Sequence, residues 1–139
     1  MVAGLVAAWL MLLSGYDIRQ RRLPNWLTLP AAVLVPAAAA GAGRGTAALA
    51  GAAALTTVYL VVHLAAPAGL GAGDVKLAAG LGELTGAFGV DVWVLAAVSA
   101  PLLTGLWGLA AAAGRERAAV PHGPSMCLAS ALATGLGMF

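Results

Sequence analysis

Long apolar segments alternate with short polar ones along almost the whole chain. The apolar segments cover residues 1–16, 26–40, 46–66, 75–90 and 92–113, and a last short one follows residues 121–124 and runs to residue 139. A helix needs about 20 apolar residues to cross a bilayer, so the pattern predicts about six transmembrane helices with short loops. Pro30 and Pro36 lie inside the second segment, where proline predicts a kink.

Composition narrows the class of protein to a membrane bundle. The 139 residues are 62% hydrophobic and 9% charged, whereas a soluble domain carries about 25% charged residues. We therefore predict an all-α polytopic membrane bundle that forms one domain over residues 1–139. The formal net charge of +2 is small, so we expect no nucleic-acid partner. The lone Cys127 allows no internal disulfide, and we expect no metal site because no ligand set has suitable spacing.

The basic residues fall mainly on one side of the predicted membrane. With six crossings, the loops on one side hold Arg19, Arg21, Arg22, Lys76, Arg115 and Arg117, and the other side holds only Arg44. Lys and Arg are in excess in the cytoplasmic loops of membrane proteins. The first side is therefore predicted to be cytoplasmic, with both termini outside. The N-terminal segment lacks the basic start and clear cleavage site of a signal peptide, so we expect an uncleaved first helix.

Two acids interrupt the apolar pattern at the predicted cytoplasmic face. Asp17 ends the first segment, and Asp74 opens the fourth, after the stretch Gly69-Leu70-Gly71-Ala72-Gly73. The alternate glycines are expected to give this turn backbone conformations that a Cβ would forbid. An ionisable residue at a membrane boundary is costly and therefore indicates a functional site. Counting crossings places both carboxylates at the same depth, so we predict that they act as a pair.

A pair of close carboxylates is suited to peptide hydrolysis. Two such groups cannot both ionise easily, so they tend to share one proton and titrate together. One member can then deprotonate a water while the other protonates a substrate carbonyl. Simpler interpretations stay open: Asp17 is also a typical helix-end residue, and a glycine-rich turn is often only a loop. Glu83 lies about 13 Å deeper in the membrane than Asp74 if the helix between them is regular. We expect it to face a polar cavity or a helix partner.

Four blocks of sequence, in this order, carry a resemblance to a known family. They are Asp17 with Arg22-Leu23-Pro24-Asn25-Trp26-Leu27, then Gly71-Ala72-Gly73-Asp74-Val75-Lys76-Leu77, then Gly80 and Gly82, and finally Pro121-His122-Gly123-Pro124. Together they resemble the type IV prepilin peptidase family, which includes the archaeal preflagellin peptidases. The Gly-x-Gly-Asp element alone is shared with presenilin-like proteases, but the full set is specific. The family's six-helix domain would cover nearly the whole chain.

The resemblance implies an aspartic endopeptidase that removes the leader peptide from pilin-like precursors at the cytoplasmic face of the cell inner or plasma membrane. It assigns Asp17 and Asp74 as the catalytic pair and implies no cofactor. Residues that shape or flank the site are Gly71, Gly73, Lys76, Pro24 and Asn25.

The chain also departs from the family. It lacks the cysteine-containing insert of the larger bacterial members, so N-methyltransferase activity is not expected. His122 stands where the family commonly has an aromatic or similar residue, and Glu83 is an unusual charge in its helix. An alternative function is a non-catalytic small membrane transporter or pilus-assembly subunit, in which the acids relay protons or anchor helices. Membrane lipid is an expected partner, and association into a homo-oligomer stays open.

Overall fold

The computed structural model describes residues 1–115 and 119–138, and these form a bundle of α-helices without strands. The helices are α1 (Val2–Gln20), α2 (Asn25–Gly41), α3 (Gly45–Ala65), α4 (Ala72–Phe88), α5 (Val90–Ala113) and α6 (Gly123–Leu136). This confirms the predicted all-α architecture. Three of them, α1, α3 and α5, are long and apolar enough to cross a membrane, and α2 is apolar but shorter.

Several helix ends differ from the predicted boundaries, because the helices continue through polar residues that interrupt the apolar pattern. Helix α1 continues past Asp17 to Gln20 and stops at Arg21, which adopts a left-handed conformation with φ 49°. Helix α4 begins at Ala72, so Asp74 lies within its first turn. Helix α5 likewise includes Asp91, which the sequence had assigned to a turn. A polar residue can lie inside a helix when its side chain finds a partner or solvent there.

Helix α4 is the centre of the bundle. It packs against α2, α3, α5 and α6, and most of its length from Leu77 to Gly86 is buried. Glycines make the contact with α3 close: a Cβ on Gly82 would lie 2.9 Å from the Cα of Ala52, and one on Gly51 would lie 2.9 Å from the Cα of Gly86. Small residues allow membrane helices to approach in this way.

The outer surface of the bundle is unusually apolar. Large exposed side chains occur on α1, α2, α3 and α5, among them Leu5, Val33, Leu64 and Leu109. A soluble monomer rarely exposes apolar patches of such extent, which are typical of surfaces that contact lipid or partners. The exposed surface and the candidate spans together identify the chain as a membrane protein.

One end of the bundle, here called the charged end, gathers segments that are far apart in sequence. Arg21 at the end of α1 donates from Nη2 to the carbonyl of Ala119 at 2.8 Å, and Lys76 of α4 donates from Nζ to Oδ1 of Asn25 at 3.0 Å. At the opposite end, Arg44 lies 3.4 Å from the carbonyl oxygen of Ala87. These contacts agree with the predicted sorting of basic residues. Arg117, predicted for the same side as Arg21, lies outside the described residues.

Candidate active site

Asp17 is a buried carboxylate in the last turn of α1, with 7% of its surface exposed. The backbone N–H of Gly123 donates a hydrogen bond to Asp17 Oδ2 at 2.9 Å. Gly123 is the first residue of α6, and the first N–H groups of a helix lack partners within it. The amide and the helix dipole both favour a negative charge at this point. The N-terminus of α6 therefore supplies the partner that lets Asp17 lie inside the bundle.

The contact between Gly123 and Asp17 requires a glycine. A Cβ at position 123 would lie 2.9 Å from Asp17 Cγ and 3.3 Å from Asp17 Cβ, which is closer than carbon atoms pack. Sequence analysis included Gly123 in the closing block but gave it no role. The contact joins residues 106 positions apart, and only the fold reveals such a pairing.

Asp74 lies in the first turn of α4 and is half-buried. Its N–H bonds to the carbonyl of Gly71 at 3.1 Å, and a Cβ on Gly71 would lie 3.7 Å from Asp74 Oδ2. The backbone of Gly71, the N-cap of α4, favours the ionised form of Asp74. Asp74 is the more solvent-accessible of the two predicted acids.

The glycines before Asp74 do not have the special backbone conformations that the sequence suggested. Gly71 has φ −74°, an ordinary value, and the positive-φ glycines of the described chain are Gly43 and Gly89. A Cβ on Gly73 would meet its nearest neighbour, Leu23, at an ordinary 3.6 Å. That expectation was wrong because the helix already begins at Ala72 and takes the chain through Gly73 in regular geometry.

The fold brings Asp17 and Asp74 into one electrostatic environment. The charge of Asp17 acts on Asp74, and both charges act on the buried thiol of Cys127 in α6. The two acids come from the last turn of one helix and the first turn of another, as depth matching predicts. The negative charge of Asp17 therefore disfavours ionisation of Asp74.

The residues predicted to flank the acids also lie at the charged end. Pro24 is the N-cap of α2, Asn25 bonds to Lys76, and Leu23 packs at the start of α4 near Gly73. The Lys76–Asn25 bond therefore ties the segment before α2 to the first turn of α4. Through this bond Lys76 acts on the loop rather than on either carboxylate.

A cavity of about 500 Å³ opens between α3, α5 and the segment before α6. Most of its lining is apolar, but three polar side chains meet at one place in its wall: Tyr59, Thr104 and His122. Tyr59 also lies within electrostatic reach of Asp74. Sequence analysis mentioned His122 but missed Tyr59 and Thr104, since neither belongs to a motif and both lie in apolar helices.

Comparison with known proteins decides the family. The family model described as "Type IV leader peptidase family" matches residues 4–134. The chain belongs to this family. It is also 33% identical over 138 residues to a protein of Xanthomonas campestris pv. campestris named "Prepilin leader peptidase/N-methyltransferase". That match covers 89% of this chain and 46% of the relative, so the chain spans about half the relative's length. No solved structure matches.

Two further polar residues of this leader peptidase family member lie apart from the acid pair. Glu83 is buried in α4, and its Oε2 has no hydrogen-bond partner among the described residues. His63 donates from Nδ1 to the carbonyl of Leu70 at 2.6 Å, so it fixes the end of α3 to the glycine-rich segment. Within residues 1–115 and 119–138, no group of three or more His, Cys, Asp or Glu residues could hold a metal ion.

Proposed function

We propose that this chain is an aspartic endopeptidase that cleaves the leader peptide of type IV pilin-like precursors, with Asp17 and Asp74 as the catalytic pair. The observation that carries the proposal is that these two acids, from α1 and α4, lie within electrostatic reach of each other at the charged end, and that Asp74 also acts on Tyr59 in the wall of a largely apolar cavity. Membership of the type IV leader peptidase family and the name of the Xanthomonas relative supply the reaction and the class of substrate.

The different surroundings of the two acids support different roles. The Gly123 N–H on Asp17 stabilises its ionised form, because a hydrogen bond donated to a carboxylate favours the charged state. The charge of Asp17 disfavours ionisation of Asp74, so Asp74 carries the shared proton. Asp17 then accepts a proton from a water whose oxygen attacks the scissile carbonyl carbon, while Asp74 protonates the carbonyl oxygen. When the C–N bond breaks, Asp17 gives its proton to the leaving nitrogen, and Asp74 takes a proton back from a hydroxyl of the intermediate as the new carboxyl group forms.

The location of the reaction follows from the distribution of charge. The basic side chains at the charged end support a cytoplasmic orientation by the positive-inside rule, which puts cleavage at the cytoplasmic face of the inner or plasma membrane. The apolar cavity between α3 and α5 offers a path for the apolar part of the precursor. A carboxylate pair needs no cofactor for this chemistry, and it transfers no methyl group, so the proposal is confined to peptide cleavage.

The experiment is to co-express a pilin precursor with the wild type, with Asp17→Asn, with Asp74→Asn and with the double variant. Each single change should reduce cleavage severely, and the double change should be little worse, because residues that act as one unit are strongly non-additive. Asn keeps the shape of the side chain but cannot cycle the proton. The melting temperature in detergent should stay close to that of the wild type.

Asp91→Asn is the matched control. Asp91 is an exposed acid in the first turn of α5, next to the end of α4 that lies opposite the charged end. It should leave cleavage unchanged. Cleavage by folded Asp17→Asn at nearly the wild-type rate would contradict the catalytic pair. No cleavage by the wild type above that of cells without the protein would instead favour the non-enzymatic transporter or assembly function.

A further inference from the structure

His122 is held through both nitrogens of its ring. Its Nε2 lies 2.7 Å from the hydroxyl of Tyr59 in α3, and its Nδ1 lies 2.6 Å from Oγ1 of Thr104 in α5. The Tyr59 and His122 rings are 5.6 Å apart between centroids. One side chain from the segment before α6 is therefore fixed by two other helices.

The hydroxyl of Thr104 determines which ring nitrogen carries the proton. Thr104 Oγ1 lies 3.1 Å from the carbonyl oxygen of Ala100, which can only accept, so the Thr104 hydrogen points there. The Thr104 oxygen then accepts from His122 Nδ1–H, and His122 Nε2 accepts from the Tyr59 hydroxyl. Every donor in this series of hydrogen bonds has an acceptor when His122 is neutral with its hydrogen on Nδ1.

This arrangement bears directly on Asp17. His122 precedes Gly123 and is the N-cap of α6, so fixing its ring restrains the amide that donates to Asp17. Arg21 holds the same segment from the side of α1, through its bond to the carbonyl of Ala119. The direction of the Gly123 N–H is thus set by contacts from α1, α3 and α5 together.

We propose that His122 is a positioning residue that aims the Gly123 N–H at Asp17, and that it does so as the neutral Nδ1–H tautomer held by Tyr59 and Thr104. The reaction step affected is the one in the proposed function, on which this inference rests. Protonation of the ring removes the acceptor for the Tyr59 hydroxyl, so it loosens the segment and slows cleavage. His122 itself touches neither substrate nor water in this role.

The pH dependence has a definite sign. Burial lowers the pKa of His122 below its ordinary value of 6.5, so the neutral ring is present at neutral pH and is lost as the pH falls through the lowered pKa. The titratable group in contact with the ring is Tyr59 from α3, and Asp17 from α1 contacts the adjacent Gly123. Burial disfavours the cationic ring at this position.

The kinetic test uses purified protein and a pilin precursor, with kcat and KM measured from about pH 5 to pH 8. His122→Phe keeps a ring against Tyr59 but loses both hydrogen bonds, and should lower kcat by about tenfold, equivalent to one hydrogen bond, with little change in KM. His122→Asn keeps a donor for Thr104 but cannot titrate, so it should retain more activity and lack the acidic loss of kcat that His122 causes. Thr57→Val is the control, since Thr57 makes the same kind of bond to a helix carbonyl on exposed α3 surface.

A second measurement separates this inference from the proposed function. In ¹⁵N-labelled protein, the ring nitrogens of His122 should show the Nδ1–H tautomer, and the Gly123 amide resonance should move in both His122→Phe and Asp17→Asn. An Nε2–H tautomer, a Gly123 resonance unmoved in His122→Phe, or an acidic limb in His122→Asn identical to that of the wild type would overturn the inference. Normal cleavage by Asp17→Asn would refute the proposed function, while the resonances would still report on the positioning.

Discussion

At the scale of single residues, the room available for a Cβ shows which glycines the structure requires. Membership of a sequence motif does not. The motif glycines Gly71 and Gly73 have ordinary backbone geometry and room for a Cβ. Gly123 has no such room, because the carboxylate of Asp17 lies against it. The glycine in the closing block therefore makes the tighter contact with an acid of the proposed pair.

The corresponding prediction compares Gly123→Ala with Gly71→Ala. The new methyl group at position 123 would lie 2.9 Å from Asp17 Cγ, so the carboxylate must rotate away and give up its backbone donor. We expect precursor cleavage to fall by about 10- to 100-fold, corresponding to about 1.4 to 2.7 kcal/mol in the barrier, with the protein still folded. Gly71→Ala should lose less than about threefold, a change of under 1 kcal/mol. Equal losses in the two variants, measured as kcat with melting curves alongside, would refute the explanation.

Sequence reasoning at this scale found residues that contrast with their surroundings. Asp17 and Asp74 are conspicuous because a carboxylate in apolar sequence is costly, and the structure brings them together. Tyr59 and Thr104 gave no such signal, since both are common inside helices. Their meeting with His122 depends on how three helices pack, and nothing in the local sequence specifies that.

At the scale of helices, the number of helices could be predicted from the sequence, but the residues at which they begin and end could not. In an apolar sequence, a polar side chain suggests the end of a helix. Asp17 nevertheless lies inside α1, because the Gly123 N–H at the start of α6 donates a hydrogen bond to its carboxylate. Gly82 and Gly86 of α4 lie against α3 without room for a Cβ. The partner, Gly51 of α3, could not be identified among the many small residues of that helix.

The prediction for helices concerns Gly51→Ala. Its Cβ would lie 2.9 Å from the Cα of Gly86 and 3.2 Å from Cδ1 of Trp93, and backbone cannot move aside as a flexible side chain can. Overpacking typically costs about 1–3 kcal/mol, so the melting temperature in detergent should fall clearly. Gly108→Ala on α5 is the control, because a Cβ there meets open space. Its melting temperature should stay the same or rise, and a similar fall in both variants would contradict the packing argument.

At the scale of the whole molecule, the bundle has two chemically different ends. The ends of α1 and α5 and the starts of α2 and α4 meet at the charged end, together with the proposed catalytic pair. The other end holds Arg44 and the turn between α4 and α5. Each crossing reverses the direction of the chain, so successive loops lie on opposite sides of the membrane. This alternation predicted that most basic residues lie at one end of the bundle. The charge difference also predicts which end faces the cytoplasm.

The last prediction tests this orientation with cysteines introduced at exposed positions in a Cys127→Ala background. Cys127 is the native cysteine and is buried, so removing it lowers background labelling. Gln20→Cys and Arg115→Cys lie towards the charged end, and Ala42→Cys lies at the other end. A membrane-impermeant maleimide added to intact cells should label only Ala42→Cys, and all three should react after the membrane is opened.

The change at Gln20 removes no charge, so it leaves the basis of the positive-inside rule intact. Labelling of Gln20→Cys in intact cells, or reaction of Gln20→Cys and Arg115→Cys from opposite sides, would show that the orientation or the number of crossings is wrong. The expected pattern would place Asp17 and Asp74 at the face where a cytoplasmic leader peptide arrives.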